Sequence, residues 1–248
     1  MTTTNGELRV VPVRGIPEIE AGANLGALIA QHTELVDGDV LVISQKIVSK
    51  AEGRVRQLSS VIPDAEARKL AAKLGKEPAL VQLILDESRE VLRAERGILI
   101  TETHHGFVCA NAGIDSSNLP NADTVCLLPE DPDASARRIR DEITPTVAVV
   151  IADSFGRPWR LGQVEVAIGC AGLTPLDDWR GRADSHGREL EATLIAIADE
   201  AAAAADLVRA KDSNVPAAIV RGLSSFVTPE DGPGAASICR PRKDDLFR

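Results

Sequence analysis

Residues 147–152 read VAVVIA, an apolar run in which nothing alternates. A strand that is apolar at every position is buried on both faces, so this chain must cover that segment from two sides. The run then delivers Asp153, Ser154, Gly156 and Arg157 within five residues. An acid, a hydroxyl and a guanidinium placed at the mouth of a buried strand cost solvation, which marks this point as a candidate site. VLVIS at 40–44 is a second buried strand that runs into polar residues, and VPAAIV at 215–220 is a third strand.

The other segments fall into mixed order. LRVVPV (8–13) predicts a strand stopped by the turn RGIPEI, and a short helix is expected around 24–33. Helical spacing covers 64–74 and 78–88, with Pro63 and Pro78 suited to helix starts. Two or three strands linked at Gly97 and Gly106 are expected before a short strand at VCLLP. DPDASARRIRDEI predicts a helix with an acidic first turn; after the strand at 146–152 come a polar segment, an apolar run at 164–171 and an Ala-rich helix over about 194–209. With no regular β-α-β rhythm, the expected class is α+β, an irregular mixed α/β arrangement with mixed sheets, neither P-loop nor Rossmann.

Composition narrows the function. A chain of 248 residues with 44% hydrophobic and 26% charged residues has an ample core. Aromatics are 2% and Tyr is absent, so Ala, Val, Leu and Ile must build that core. A net charge of -9 argues against non-specific nucleic-acid binding and requires a local cationic patch for any anionic ligand. The start MTTTNGELRV lacks a basic segment and a long apolar stretch, and no apolar run approaches the ~20 residues of a membrane span. Cys109, Cys126, Cys170 and Cys239 form no C-x-x-C pair, which fits a reduced, cytoplasmic chain without structural zinc or disulfides.

Three polar clusters carry the chemistry. Asp153 and Ser154 offer hard oxygen ligands for Mg²⁺ or Mn²⁺, and Arg157 offers a fork for phosphate or carboxylate. Asp115 and Asn118 in NAGIDSSN fit a turn equally well alone, but Asp115 paired with Asp153 would hold a divalent ion beside a nucleotide phosphate. Lys46 and Lys50 flank Ser49 in SQKIVSKAEG, either as solvated lysines or as neutralisers of phosphate. There is no P-loop, no G-x-G-x-x-G and no G-x-S-x-G elbow, so any nucleotide is held another way.

GIPEI, SQKIVSKAEGR, HGFVCANAGIDSSN, LLPEDPDASA, VVIADSFGRPWRLGQ, VAIGCAG and AIVRG occur in that order. The set resembles the coenzyme F420-0:L-glutamate ligases, the γ-glutamyl ligases of deazaflavin coenzyme biosynthesis. The resemblance implies one ligase domain over 1–248, with room for two intertwined subdomains, and not the C-terminal flavin-binding reductase domain that some members carry. It implies GTP, L-glutamate and the deazaflavin precursor as substrates, an acyl-phosphate path releasing GDP and phosphate, and a homodimer. It also implies Mg²⁺ or Mn²⁺ at two sites, with K⁺ as an accessory ion. By position, Asp115, Asp153 and Ser154 resemble the metal-holding residues. Ile16, Pro17, Glu18, Ile19, Gln45, Lys50 and Asn118 resemble nucleotide contacts. Near RAKDSN, where members carry a carboxylate or amide, this chain has Lys211 and then Asp212. Arg157 and Arg160, with Arg180 and Arg182, are candidates for the anionic acceptor, and Trp159 and Trp179 serve either the core or the deazaflavin ring. A same-fold ligase with another acceptor, a metal-dependent phosphohydrolase and a non-catalytic nucleotide-binding protein are the rival readings.

Overall fold

The computed structural model describes residues 6–117, 121 and 123–246. In chain order the elements are β1 (Arg9–Val13), α1 (Leu25–Ala30), β2 (Val40–Ser44), α2 (Gln45–Ala51), β3 (Val55–Gln57), α3 (Ala65–Leu74), α4 (Pro78–Asp86) and β4 (Ser88–Glu95). They continue with β5 (Ile98–Thr103), β6 (Val108–Ala110), β7 (Thr124–Cys126), α5 (Pro132–Asp141), β8 (Ala148–Arg157), β9 (Arg160–Ala171), β10 (Asp177–Asp178), β11 (Leu194–Ile195), α6 (Ile197–Asp206) and β12 (Ala217–Arg221). The α+β expectation is met: the helices stand with one mixed and three antiparallel sheets, and among the described residues no sheet closes into a barrel.

A five-stranded sheet in the order β1-β12-β2-β8-β9 forms the centre. Its one parallel pair is β2 with β8, Val40 opposite Ala148 through Ser44 opposite Ala152; the neighbouring pairings are antiparallel. Odd and even residues of these strands go to opposite faces and both faces are covered. Leu41, Ile43, Val149, Ile151 and Ile219 pack with Ile29, Val48 and Ile139 from α1, α2 and α5. Val40, Val42, Val150 and Val220 pack with the alanines of α6. Full burial on both sides is why VLVIS and VAVVIA show no alternation.

A second core lies alongside. The antiparallel sheet β4-β5-β6 and helices α3 and α4 enclose Ala67, Ala71, Leu74, Val81, Ile84 and Leu99. Arg54 ties the neighbouring segments, bonding the Leu128 carbonyl at 2.9 Å and the Glu87 carboxylate at 2.7 Å.

Two expectations need correction. SQKIVSKA, read as polar residues trailing a strand, forms α2, which starts at Gln45 directly after β2 with no intervening loop. Ile47 and Val48 face the core, and Gln45 accepts a hydrogen bond from Ser49 at 2.9 Å. The polar segment after residue 152 is not a turn: β8 runs on to Arg157 and pairs with β9 as a long hairpin, with irregularities beside Ala152 and Arg157. The outer half of this hairpin projects beyond the core, so its residues carry no apolar signature. Trp159 stands at the hairpin tip with 81% of its surface exposed, which rules out a core role for it.

Backbone approach decides one position. A Cβ on Gly169 would lie 2.4 Å from the Pro132 carbonyl oxygen, where α5 begins against β9. Its neighbour Cys170 donates its backbone N–H to Asp133 at 2.8 Å, and Asp133 also accepts from Ala235 at 2.7 Å. Gly169→Ala should therefore destabilise the protein by about 1–3 kcal/mol in denaturant unfolding, since backbone and not a mobile side chain must move. Gly156→Ala, which would meet nothing within 4 Å, is the matched control; equal stability of the two variants would contradict this packing.

Candidate active site

β2 and β8 run in parallel and their pairing ends at Ser44 and Ala152, so Gln45 and Lys46 on one chain segment and Asp153 and Ser154 on the other follow it side by side. Ligands of open α/β sheets characteristically bind beyond strand C-termini. Here a cavity of about 710 Å³ occupies that place. Its wall is drawn from five segments: the loop after β1, the β2–α2 junction, the turn after β6, the base of the β8–β9 hairpin and the α6–β12 connection.

The expected residues converge there. Ile16, Pro17, Glu18, Ile19, Gln45, Lys50, Asp115, Asp153 and Ser154 all line the cavity. Asn118 lies outside the described residues. Arg157 and Arg160 are not among the lining residues; they pair with each other across the exposed hairpin end, and Arg157 donates to the Leu161 carbonyl at 2.9 Å. Arg180 and Arg182 are also elsewhere, bonded to Asp178 and Asp177, and the Arg182 guanidinium lies 4.9 Å from the Trp179 ring centre.

Asp115 is held by a tight turn. Asn111, Ala112 and Gly113 take positive φ in succession, 53°, 54° and 70°. Left-handed backbone at non-glycine residues costs of order 1 kcal/mol each and persists where surrounding structure enforces it. Asp115 then exchanges backbone hydrogen bonds with Cys126 at 3.0 and 2.8 Å. Its carboxylate meets the Lys46 ammonium at 2.8 Å and accepts from the Ser117 N–H at 2.7 Å. Burial pulls the Asp115 carboxyl upward, but Lys46 and Ser117 outweigh it and hold the group below the usual carboxylate range. Lys50, on the same helix as Lys46, pairs with Glu18 from the opposite wall.

Asp153 has the contrary balance. Burial, reinforced by the nearby Glu165 and Asp115 charges, pushes its carboxyl up to about 7, against a backbone hydrogen bond from Ser154 and the Lys211 charge. Among the described residues Asp153 has no ion-pair partner within 4 Å. Its neighbour Ser154 donates to Glu165 at 2.8 Å and accepts from the Lys211 ammonium at 2.7 Å. Glu165 is itself buried and paired with buried Arg209 at 2.8 Å. Burial first, and then the Asp153 charge, drive the Cys109 thiol up to about 12, so this wall residue stays a neutral thiol and not a nucleophile.

Glu165 and Arg209 belong to no motif of the sequence, and Lys211 stands out there only as a departure from the pattern of the resembled family. Glu165 is a lone acid inside the apolar run 164–171, and Arg209 a lone cation closing the Ala-rich helix segment. A single charge among apolar neighbours is the one available signal, because burying it demands a partner. That partner is 44 residues away.

The donor set suits a hard divalent cation. Asp115 and Asp153 contribute carboxylates that influence each other electrostatically, and the Asp153 carboxylate, once ionised, gains from a bound cation. Among the described residues no group of three His, Cys, Asp or Glu side chains forms a metal cage. Such an ion would keep water or ligand oxygens, as Mg²⁺ commonly does beside phosphates.

Comparison with known proteins follows this geometry. Residues 15–222 match the family model described as F420-0:Gamma-glutamyl ligase. The chain is 44% identical over 251 residues to the coenzyme F420:L-glutamate ligase of Methanothermobacter thermautotrophicus, covering 97% of this chain and 99% of that protein. It is 43% identical to the ligase of the same name from Methanocaldococcus jannaschii, covering 98% of each. The Methanopyrus kandleri protein of that name is 44% identical over 247 residues, covering 97% of this chain and 98% of its own.

The raised Asp153 carboxyl has a consequence for stability. A carboxyl that titrates at about 7 when folded and 3.8 when free loses stability for the fold as pH rises through that window, because the folded state resists ionisation. In metal-free protein, Asp153→Asn should remove this loss, leaving the variant more stable than wild type at pH 8 but not at pH 4. Urea unfolding at both pH values reads it; an unchanged pH slope would contradict the assigned environment.

Proposed function

The chain belongs to the F420-0:gamma-glutamyl ligase family, and as such an enzyme forms a carbon–nitrogen bond as a coenzyme F420:L-glutamate ligase; we propose that it does so by GTP-dependent activation of the precursor's carboxylate. The observation that carries this reading is the meeting of Lys46 and Lys50 with Asp115 and Asp153 in one cavity beyond a parallel strand pair. In the same reading the enzyme is a cytoplasmic homodimer. Light scattering at micromolar concentration is the check, and a monomer would count against it.

Ile16 to Ile19, Gln45 and Lys50 hold the nucleotide, with Lys46 and Lys50 facing its phosphates. Asp115 and Asp153 hold a divalent ion, Mg²⁺ or Mn²⁺. When bound, that ion supplies positive charge against the phosphoryl group in transfer. Lys46 keeps Asp115 ionised, so one ligand is ready at any physiological pH. The wall charges of Lys50, Arg209 and Lys211 stabilise anionic oxygens brought into the cavity. The precursor's terminal carboxylate attacks the γ-phosphorus, GDP leaves, and the amine of L-glutamate displaces phosphate from the acyl phosphate. Asp206, at the cavity wall, is a carboxylate placed to accept the amine's proton. Arg157 and Arg160, on the hairpin beyond the cavity, extend the reading to the acceptor's phosphodiester.

Mass spectrometry after incubation with precursor, GTP, Mn²⁺ and glutamate should show a gain of one or more glutamyl units. Phosphate release without glutamate would instead favour a phosphohydrolase, and comparable turnover with ATP would remove the guanine preference. Asp153→Asn should lower turnover at least ~100-fold, since charge stabilisation by the ion is worth several kcal/mol. Asp115→Asn should behave alike, and the double variant should fall far short of the product of the two. Lys50→Ala should weaken nucleotide binding while sparing metal binding.

A further inference from the structure

Ser154 stands beside Asp153 at the cavity wall, and its hydroxyl is engaged on two sides. A hydroxyl has one hydrogen to donate and two lone pairs to offer. The hydrogen goes to Glu165 Oε1 at 2.8 Å, and one lone pair receives the Lys211 ammonium at 2.7 Å. Glu165 cannot turn away freely, because its other oxygen is bound to Arg209 at 2.8 Å and both partners of that pair are more than nine-tenths buried. Arg209 is further tied to the Pro216 carbonyl at 3.3 Å, at the entry to β12. Arg209, Glu165, Ser154 and Lys211 thus form a chain of polar contacts ending in an ammonium at the cavity, next to Asp153.

A dication brought to Ser154 Oγ would meet that ammonium at contact distance. Like charges so placed repel. From this geometry, and resting on the metal reading of Asp115 and Asp153 above, we infer that Lys211 is the fixed cation of the Ser154 side of the site. The cavity therefore takes one divalent ion, and the Lys211 ammonium stands where a second ion would otherwise bind. Glu165 and Arg209 act as positioning residues that aim the Ser154 hydroxyl so that its lone pair faces Lys211.

The test is an ion count. Wild-type protein saturated with GDP is titrated with Mn²⁺ by equilibrium dialysis, and its electron paramagnetic resonance spectrum is recorded. The expected result is one ion per chain with the six-line pattern of an isolated Mn²⁺. Lys211→Met should admit a second ion and give the broadened spectrum of two coupled ions, whereas Lys211→Arg should stay at one. Two ions in the wild type, with glutamyl transfer intact, would overturn this inference and leave the underlying metal reading standing. No bound ion in the wild type would overturn both. A count of one in Lys211→Met, with circular dichroism showing a folded protein, would also overturn the inference.

Discussion

The parallel pairing of β2 with β8 is the constraint on which the rest of the molecule depends. Val40 to Ser44 lie in register with Ala148 to Ala152, and helices close over both faces of the pair. Polar side chains cannot sit within such strands without losing water, so they emerge where the cover ends. Both strands end on the same side because they run the same way. Gln45, Lys46, Asp153 and Ser154 are therefore neighbours as a consequence of strand direction, and the antiparallel β12 brings Val215 and Pro216 to the same rim.

Within that rim the charges are arranged unevenly. Asp115 is paired with Lys46, and Glu165 with Arg209, while Asp153 sits between the two acids. Paired acids give the wall a fixed shape; the remaining one gives it an affinity for positive charge. This division separates structure from chemistry inside one cavity, and it accounts for the strained turn at Asn111 and Ala112, which brings Asp115 within electrostatic reach of Asp153.

Much of this was legible in the sequence. Unalternating runs marked β2 and β8, Pro78 and the Asp131–Pro132 pair marked helix starts, and Gly97 and Gly106 marked the turns of the small sheet. Residues 16–19, Gln45, Lys50, Asp115, Asp153 and Ser154, which the resemblance singles out, all line one cavity. What stayed hidden has physical causes. Helix α2 is seven residues long and begins at the residue that follows a strand, leaving no loop to announce it. The outer hairpin is held by ladder hydrogen bonds and not by burial, so its strands look like loop. Glu165 and Arg209 are separate isolated charges in sequence, and only tertiary packing makes them a pair.

The account turns on Asp153, a carboxylate with no ion-pair partner among the described residues, to which a metal ion would supply one. Isothermal titration of nucleotide-saturated protein with Mg²⁺ or Mn²⁺, in buffers of differing ionisation enthalpy, measures the protons released on ion binding. At pH 6, below the point of about 7 at which Asp153 titrates, binding should release nearly one proton per ion in wild type and almost none in Asp153→Asn. Ion binding without proton release at pH 6 in the wild type would contradict the claim that Asp153 holds the ion.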